Sequence, residues 1–111
     1  MVSLSTIPLM GFGTYDVAND NVLMNALKIG YRHFDLAQSY FNLGIVKDAL
    51  TAALRPEEEG GLGIRRDEIW LTMKVNTLPS KRCTPDELIL SLLAEVGTEY
   101  FDLLLFHRPR F

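Results

Sequence analysis

Short apolar runs alternate with amphipathic stretches along the chain. The apolar runs fall at residues 8–15, 31–35, 69–74 and 101–106. In the stretches between them, apolar residues recur every three to four positions, which is the spacing of one buried helix face. Nearly continuous apolar strands that alternate with amphipathic helices predict the order β-α-β-α-β-α-β. This order is typical of an α/β protein with a parallel sheet covered by helices.

Three helices are predicted between these runs: from Asn19 or Asp20 to Gly30, over 41–54, and from Thr84 to Gly97. The third has the clearest start, because Thr84 can cap it, Pro85 suits its first position and Glu87 completes a capping box. Residues 55–63 are acidic and glycine-rich, which predicts an exposed loop after the second helix. The pattern leaves open whether the sheet belongs to a barrel or to an open, doubly wound fold.

Three of the apolar runs lead to an ionisable residue. Asp35 ends the second run, Lys74 ends the third, and His107 follows the fourth. Tyr40 lies a few positions beyond Asp35, on the loop that follows it. In α/β proteins the chemistry is found at the carboxyl ends of the strands. These four side chains are therefore predicted to meet at one edge of the sheet.

These residue types suit the donation of a proton. A free tyrosine has a pKa of about 10, and a lysine ammonium beside a phenol favours the phenolate and lowers that pKa. An aspartate that pairs with the lysine keeps it charged, and a histidine can share the proton or orient a carbonyl oxygen. Such a set can protonate an oxygen that becomes an alkoxide when hydride arrives. The hydride needs a cofactor, because no side chain supplies it.

Other interpretations of the same residues stay open. Lys74 can reach solvent from a strand end, and Asp35 can cap the next helix. Tyr40 can simply pack, and His107 can be a loop histidine. His33 and Asp35 face the same side of a strand, and with His107 they could bind a divalent metal and support hydrolysis. A packed or hydrogen-bonded His33 inside the sheet is the simpler expectation.

The composition and charge of the chain argue against several classes of binding partner. The 111 residues carry a net charge of −3 and contain no basic cluster, so neither nucleic acid nor an anionic membrane is expected to bind. The chain shows no signal peptide and no apolar run near the roughly 18 residues that span a bilayer. The single cysteine, Cys83, lies in a polar stretch and fits a reducing compartment. We therefore expect a cytoplasmic protein.

Four motifs, in this order along the chain, resemble the aldo-keto reductases. They are IPLMGFGT at 7–14, GYRHFD at 30–35 with YFN at 40–42, RDEIWLTMKV at 66–75, and YFDLLLFHRP at 100–109. The resemblance covers essentially the whole chain. It implies a parallel (β/α)₈ barrel of the TIM type, here a partial barrel of about four βα units. Residues 1–111 would then form the N-terminal half of the domain.

The resemblance implies an NADPH-dependent oxidoreductase that reduces an aldehyde or a ketone, with no metal. The implied catalytic residues are Asp35, Tyr40, Lys74 and His107, and the implied cofactor-binding residues are Thr14, Tyr15 and Asp35. In this arrangement Tyr40 is the proton donor.

Some positions depart from the family pattern. Leu43 stands where the family usually has glutamate, and Lys47 stands where glycine is common. Arg108 follows His107 where tryptophan is frequent, and the acidic loop at 55–63 is longer than usual. None of these departures removes an implied catalytic residue, but Arg108 is expected to alter the substrate pocket.

Length sets a further expectation. A (β/α)₈ barrel takes about 250 residues, so this chain corresponds to about half of one. The resemblance implies that most contacts to the cofactor's pyrophosphate and adenosine phosphate come from the other half. We therefore expect little or no reductase activity from the 111 residues alone. Unpaired strand edges favour association, so the alternative function is a non-catalytic module that associates with itself or with a partner.

Overall fold

A computed structural model of the chain describes residues 10–40, 42–75 and 84–106. The strands and helices are β1 (Gly11–Gly13), α1 (Asp20–Ile29), β2 (His33–Ala37), α2 (Leu43–Leu54), β3 (Trp70–Val75), α3 (Pro85–Val96) and β4 (Leu103–Phe106). Short 3₁₀ helices cover Gln38–Tyr40, Glu57–Glu59 and Arg66–Glu68. The predicted alternation of strands and helices is confirmed.

The four strands of the described sheet lie in the order β1-β2-β3-β4, and each neighbouring pair is parallel. A doubly wound sheet reverses its strand order at a switch point, whereas the strands of a barrel follow one another around it. The strand order shows no reversal within the described residues. The sheet therefore has the topology of a barrel segment, which the apolar pattern had left open.

The two faces of the sheet differ in character because successive strand residues point to opposite sides. One face of β2 and β3 packs against the helices and contributes to the core Phe34, Leu36, Leu71, Met73 and Val75. The helices add Leu23, Ala26 and Leu27 from α1, Leu43, Val46, Ala49, Leu50 and Ala53 from α2, and Leu92 and Val96 from α3. The opposite face carries His33, Asp35, Trp70, Thr72 and Lys74. The ionisable strand residues thus lie on the face turned away from the helices.

The helix ends follow the sequence signals. Thr84 Oγ1 accepts a hydrogen bond from the Glu87 amide at 3.2 Å, and the Thr84 amide donates to the Glu87 carboxylate at 3.1 Å. The predicted capping box of α3 is therefore confirmed. Asn19 caps α1 by accepting from the Val22 amide, and the acidic Glu57–Glu59 segment is exposed, as expected.

The predicted bounds of β2 were wrong by two residues. We expected the strand over 31–35, but it runs from His33 to Ala37. The reason is that the Tyr31 amide still donates to Ala26 O and closes the end of α1, so strand pairing begins only at His33. Asp35 therefore lies inside the strand, opposite Gly13 and Thr72, and does not end it.

The second helix also begins later than predicted. The sequence suggested a start at 41, but α2 begins at Leu43, because Gln38–Tyr40 forms a separate 3₁₀ turn directly after β2. This turn carries Tyr40 over the end of the sheet. None of the described helices is long and apolar enough to cross a bilayer.

The outer strands β1 and β4 each pair with a single neighbour in the described part of the chain. On β4, Leu103, Leu104 and Leu105 are 40–47% exposed. An apolar strand with one unpaired edge can pair with further backbone, so β4 is the part of this sheet best suited to association.

Candidate active site

Asp35, Tyr40 and Lys74 meet at the carboxyl end of the sheet. Lys74 Nζ donates a hydrogen bond to Tyr40 Oη at 2.8 Å and lies 3.5 Å from Asp35 Oδ2. The strand register explains the pairing: Asp35 stands opposite Thr72, so Lys74 is its diagonal neighbour on the same face. The 3₁₀ turn after β2 then brings Tyr40 onto the lysine. The structure thus brings together three of the four residues predicted to form the site.

The fourth residue, His107, lies outside the described residues, and its place in the site stays a prediction. The metal alternative also depends on His107, so it stays open too. Within residues 10–40, 42–75 and 84–106, no three histidine, cysteine or acidic side chains are close enough to hold a metal ion. His33 Nε2 lies 3.0 Å from Thr72 Oγ1, which also accepts from the Trp70 indole. His33 is therefore hydrogen-bonded inside the sheet, as expected.

Lys74 is held as an ammonium. Its side chain is only 17% exposed. This burial lowers the pKa of Lys74, but the hydrogen bond to Tyr40 and the negative charge of Asp35 outweigh it, so the pKa lies above the ordinary 10.5. At neutral pH the positive charge therefore stands directly beside the phenol oxygen. Because that oxygen is the acceptor in the bond to Lys74, the bond does not use the hydrogen of the phenol.

Thr14 and Tyr15 follow β1 and lie beside this cluster in different ways. Thr14 is fully buried, and its amide and hydroxyl both donate to Asp35 O, at 3.2 and 2.6 Å. Tyr15 is 74% exposed, and its ring meets the Tyr40 ring edge to face at 5.4 Å. Thr14 thus fastens the loop to β2, while Tyr15 presents an aromatic surface next to Tyr40. Contact of either residue with a cofactor stays a prediction.

Asn42 is part of the site region, but sequence reasoning gave it no role. It is 6% exposed, and its Nδ2 donates to Thr14 O at 2.6 Å and to Val17 O at 3.3 Å. The sequence signal was an asparagine at the start of a helix, which ordinarily indicates a surface cap. The contacts with the loop after β1 depend on residues 25 and 28 positions away, so local pattern does not reveal them.

The fold and this cluster define a class of protein: a parallel α/β barrel segment with a lysine–tyrosine pair at the carboxyl ends of its strands. A family model described as the Aldo/keto reductase family matches residues 10–111. The chain belongs to this family.

Individual relatives agree with this assignment. The chain is 36% identical to a D/L-glyceraldehyde reductase from Hypocrea jecorina, with 97% of this chain and 33% of that protein covered. It is 33% identical to an NADP-dependent D-sorbitol-6-phosphate dehydrogenase from Malus domestica, with 93% and 32% covered. The structure of an aldose reductase from Giardia lamblia matches with a TM-score of 0.80 at 27% identity, covering 95% of this chain and 34% of that one. The chain spans about a third of the length of these relatives, so its structure is a partial barrel.

Proposed function

We propose that this chain is the N-terminal part of an NADPH-dependent reductase that converts an aldehyde or ketone to an alcohol, with Tyr40 as the proton donor. The observation that carries the proposal is the 2.8 Å hydrogen bond from Lys74 Nζ to Tyr40 Oη. A phenol is a weak acid in water, and an adjacent ammonium stabilises the phenolate that remains after proton transfer. The names of the relatives, a glyceraldehyde reductase and an NADP-dependent dehydrogenase, support the reaction class and the cofactor.

Each residue of the cluster has a distinct task in this proposal. Tyr40 transfers its hydroxyl proton to the carbonyl oxygen as negative charge develops there. Lys74 supports the resulting phenolate with its charge. The Asp35 carboxylate, 3.5 Å from Nζ, holds the ammonium in place. We propose His107 as the fourth member, where it orients the carbonyl oxygen.

The surroundings of the cluster suit a nicotinamide cofactor. Gly13 is the register partner of Asp35, and a Cβ built at Gly13 meets no described atom within 4 Å. Within the part of the chain that the structure describes, the strand surface beside Asp35 is therefore open. Asp35 lies beside this opening, Tyr15 follows Gly13 by two positions and contacts Tyr40, and Thr14 fixes the backbone between them, so these three residues would hold the nicotinamide end. When bound, NADPH supplies the hydride that the side chains lack.

Three further proposals concern the chain by itself. We propose that the 111 residues alone have little or no reductase activity, because they span about a third of the length of the relatives. The exposed leucines of β4 favour a second candidate role, in which the chain associates with itself or a partner without catalysis. We also propose a cytoplasmic location, in keeping with the low net charge and the single cysteine.

The decisive assay compares the chain with a chimera. In the chimera, residues 10–111 replace the matching segment of the Hypocrea jecorina glyceraldehyde reductase. NADPH consumption is measured for both with a panel of aldehydes and ketones. We expect turnover by the chimera and little by the chain alone. A folded chimera that binds NADPH but reduces no carbonyl compound would contradict the proposed function. A chain as active as the chimera would contradict only the expectation about the isolated 111 residues.

A further inference from the structure

Asn42 stands at the start of α2 without acting as a side-chain cap. Its backbone carbonyl accepts from the Ile45 and Val46 amides and so begins the helix. Its side chain makes no capping hydrogen bond within the described residues. The side-chain amide instead reaches across to the loop between β1 and α1, residues 14–19. Asn42 thus contributes something other than the usual helix cap.

The β1–α1 loop is fastened at two points, and Asn42 provides one of them. Thr14 is tied to Asp35 O through its amide and hydroxyl, as described above. On its other side, Thr14 O accepts both the Val17 amide, which closes a turn, and Asn42 Nδ2. Asp16, inside this turn, has a φ of 62°, which is uncommon for a residue other than glycine. A turn of this kind needs surrounding contacts to persist, and Asn42 Nδ2 supplies two of them.

The clamped loop carries Tyr15, and Tyr15 touches Tyr40. The two rings lie 5.4 Å apart at an interplanar angle of 74°. Asn42 lies two residues after Tyr40 in sequence. Its bonds to Thr14 O and Val17 O therefore join the segment that carries Tyr40 to the loop that carries Tyr15. If these bonds are removed, no other described side-chain hydrogen bond joins residues 14–19 to the start of α2.

The Oδ1 atom of Asn42 affects how a substitution at this position changes the stability of the chain. This oxygen is buried and has no hydrogen-bond partner among the described residues. An apolar side chain of similar shape at this position would remove the unpartnered oxygen, but it would also take a donor from Val17 O, while Thr14 O would keep the Val17 amide, so the two effects on stability oppose each other. Loss of the amide is therefore expected to affect the loop more than the stability of the chain.

We propose that Asn42 is a positioning residue that clamps the β1–α1 loop onto the start of α2 and thereby holds the Tyr15 ring against Tyr40. Its relevance to catalysis rests on the proposed function, because only then is Tyr40 the proton donor. The placement of the rings is a separate claim and can be measured without any enzymatic activity.

The first test uses the unaltered chain. Nuclear magnetic resonance is used to follow solvent exchange of the side-chain amide hydrogens of Asn42 and of Asn19. Asn19 serves as the matched control, because it also precedes a helix but is exposed. We expect exchange at Asn42 to be at least about tenfold slower, since its Nδ2 is buried and bonded. Equal exchange rates at the two residues would overturn the clamp.

The second test uses the variants Asn42→Leu and Asn42→Asp, with Asn19→Asp as the control. Both Asn42 variants lack the amide donor, and Asn19→Asp keeps an acceptor suited to a cap. Nuclear Overhauser effects between the Tyr15 and Tyr40 rings should be strong in the unaltered chain and in Asn19→Asp, and at least severalfold weaker in both Asn42 variants. The urea midpoint of Asn42→Leu should stay near that of the unaltered chain. Unchanged ring contacts in a folded Asn42 variant would refute the proposal.

Kinetics in the chimera separate this proposal from the proposed function. Misplacement by about 1 Å can cost up to about 100-fold in rate, so Asn42→Leu should lower kcat by up to that factor. The loss should vanish when Tyr15→Ala is already present, because Asn42 acts through Tyr15. A chimera without activity whose ring contact still depends on Asn42 would contradict the function and leave the clamp standing. An active chimera whose Asn42 variants keep both ring contact and rate would contradict the clamp alone.

Discussion

Lys74 Nζ donates to Tyr40 Oη over 2.8 Å, although the two residues lie 34 positions apart in the sequence. The contact joins the end of β3 to the turn after β2, with Asp35 as the third member. The register of β2 and β3 places Lys74 beside Asp35, and the 3₁₀ turn after β2 brings Tyr40 onto the lysine.

Replacement of Lys74 by methionine should remove most of the activity in the chimera. The side chain keeps its length but loses the charge that supports the phenolate. General acid catalysis contributes about 10²–10⁴-fold, so kcat should fall by at least about 100-fold. Combination with Tyr40→Phe should cost little more than either change alone, since residues that act as a unit are not additive. Steady-state kinetics of the four proteins would show this, and additive losses would mean that the two residues act independently.

The free energy of unfolding at alkaline pH should depend on the charge of Lys74. Its pKa lies above 10.5 in the folded chain because, although burial lowers it, the contacts with Tyr40 and Asp35 raise it more. A raised pKa contributes stability that is fully present below the unfolded value and lost as the pH rises through the folded value. The difference in free energy of unfolding between the chain and its Lys74→Met variant should therefore shrink above pH 10.5. Urea unfolding of both proteins over a pH series measures this difference in free energy. A difference that grows in alkali would contradict the pairing of Lys74 with Tyr40 and Asp35.

Arg66 should matter far more for stability than its neighbour Arg65. Arg66 pairs with Asp102 at 3.1 Å, and both side chains are largely buried. Breaking such a pair leaves an uncompensated charge, so Arg66→Met should cost about 3 kcal/mol or more. Arg65 pairs with Asp67 on the surface, and Arg65→Met should change stability by less than about 1 kcal/mol. Equal urea midpoints for the two variants would refute this distinction.

Self-association of the chain should depend on β4. One edge of this strand has no pairing partner among the described residues, and its exposed leucines also favour pairing with another chain. Leu104→Lys should shift sedimentation velocity profiles toward a smaller species, because it places a charge on that edge. Leu90 is also an exposed leucine, at 65% against 47% for Leu104, but it lies on α3, so Leu90→Lys is the matched control and should change little. Equal effects of the two substitutions would exclude the edge as the cause.

Local signals along the sequence predicted most of the fold. Apolar spacing predicted the alternation of strands and helices, and the capping box at Thr84 fixed the start of α3. The bounds of β2 were missed because the Tyr31 amide closes α1, and competition between a helix end and a strand start depends on backbone geometry. The order of the strands required the structure, since periodicity does not report which strands are neighbours.

The site was predicted through residues at strand ends, and it was completed by contacts that the sequence hides. Asp35 was chosen as a strand-end residue, yet it reaches Lys74 from within β2 because the register places them diagonally. The contribution of Asn42 was missed because its partners belong to a distant loop. The ion pair of Arg66 with Asp102, 36 positions apart, was missed for the same reason. Short-range pattern predicts which polar residues lie near the carboxyl end of an element, but not the last residue of that element or the distant group that each side chain meets.

The central claim is that Tyr40 donates the proton, and one comparison in the chimera tests it most directly. Alcohol formation from a carbonyl substrate and deuterium-labelled NADPH is measured by mass spectrometry for Tyr40→Phe and for Tyr31→Phe. Tyr31 is the matched control, because it loses the same hydroxyl but packs against Phe12 away from Lys74. We predict that Tyr31→Phe keeps the rate and that Tyr40→Phe lowers it by at least about 100-fold. A folded Tyr40→Phe chimera that forms labelled alcohol at the unaltered rate would contradict the account.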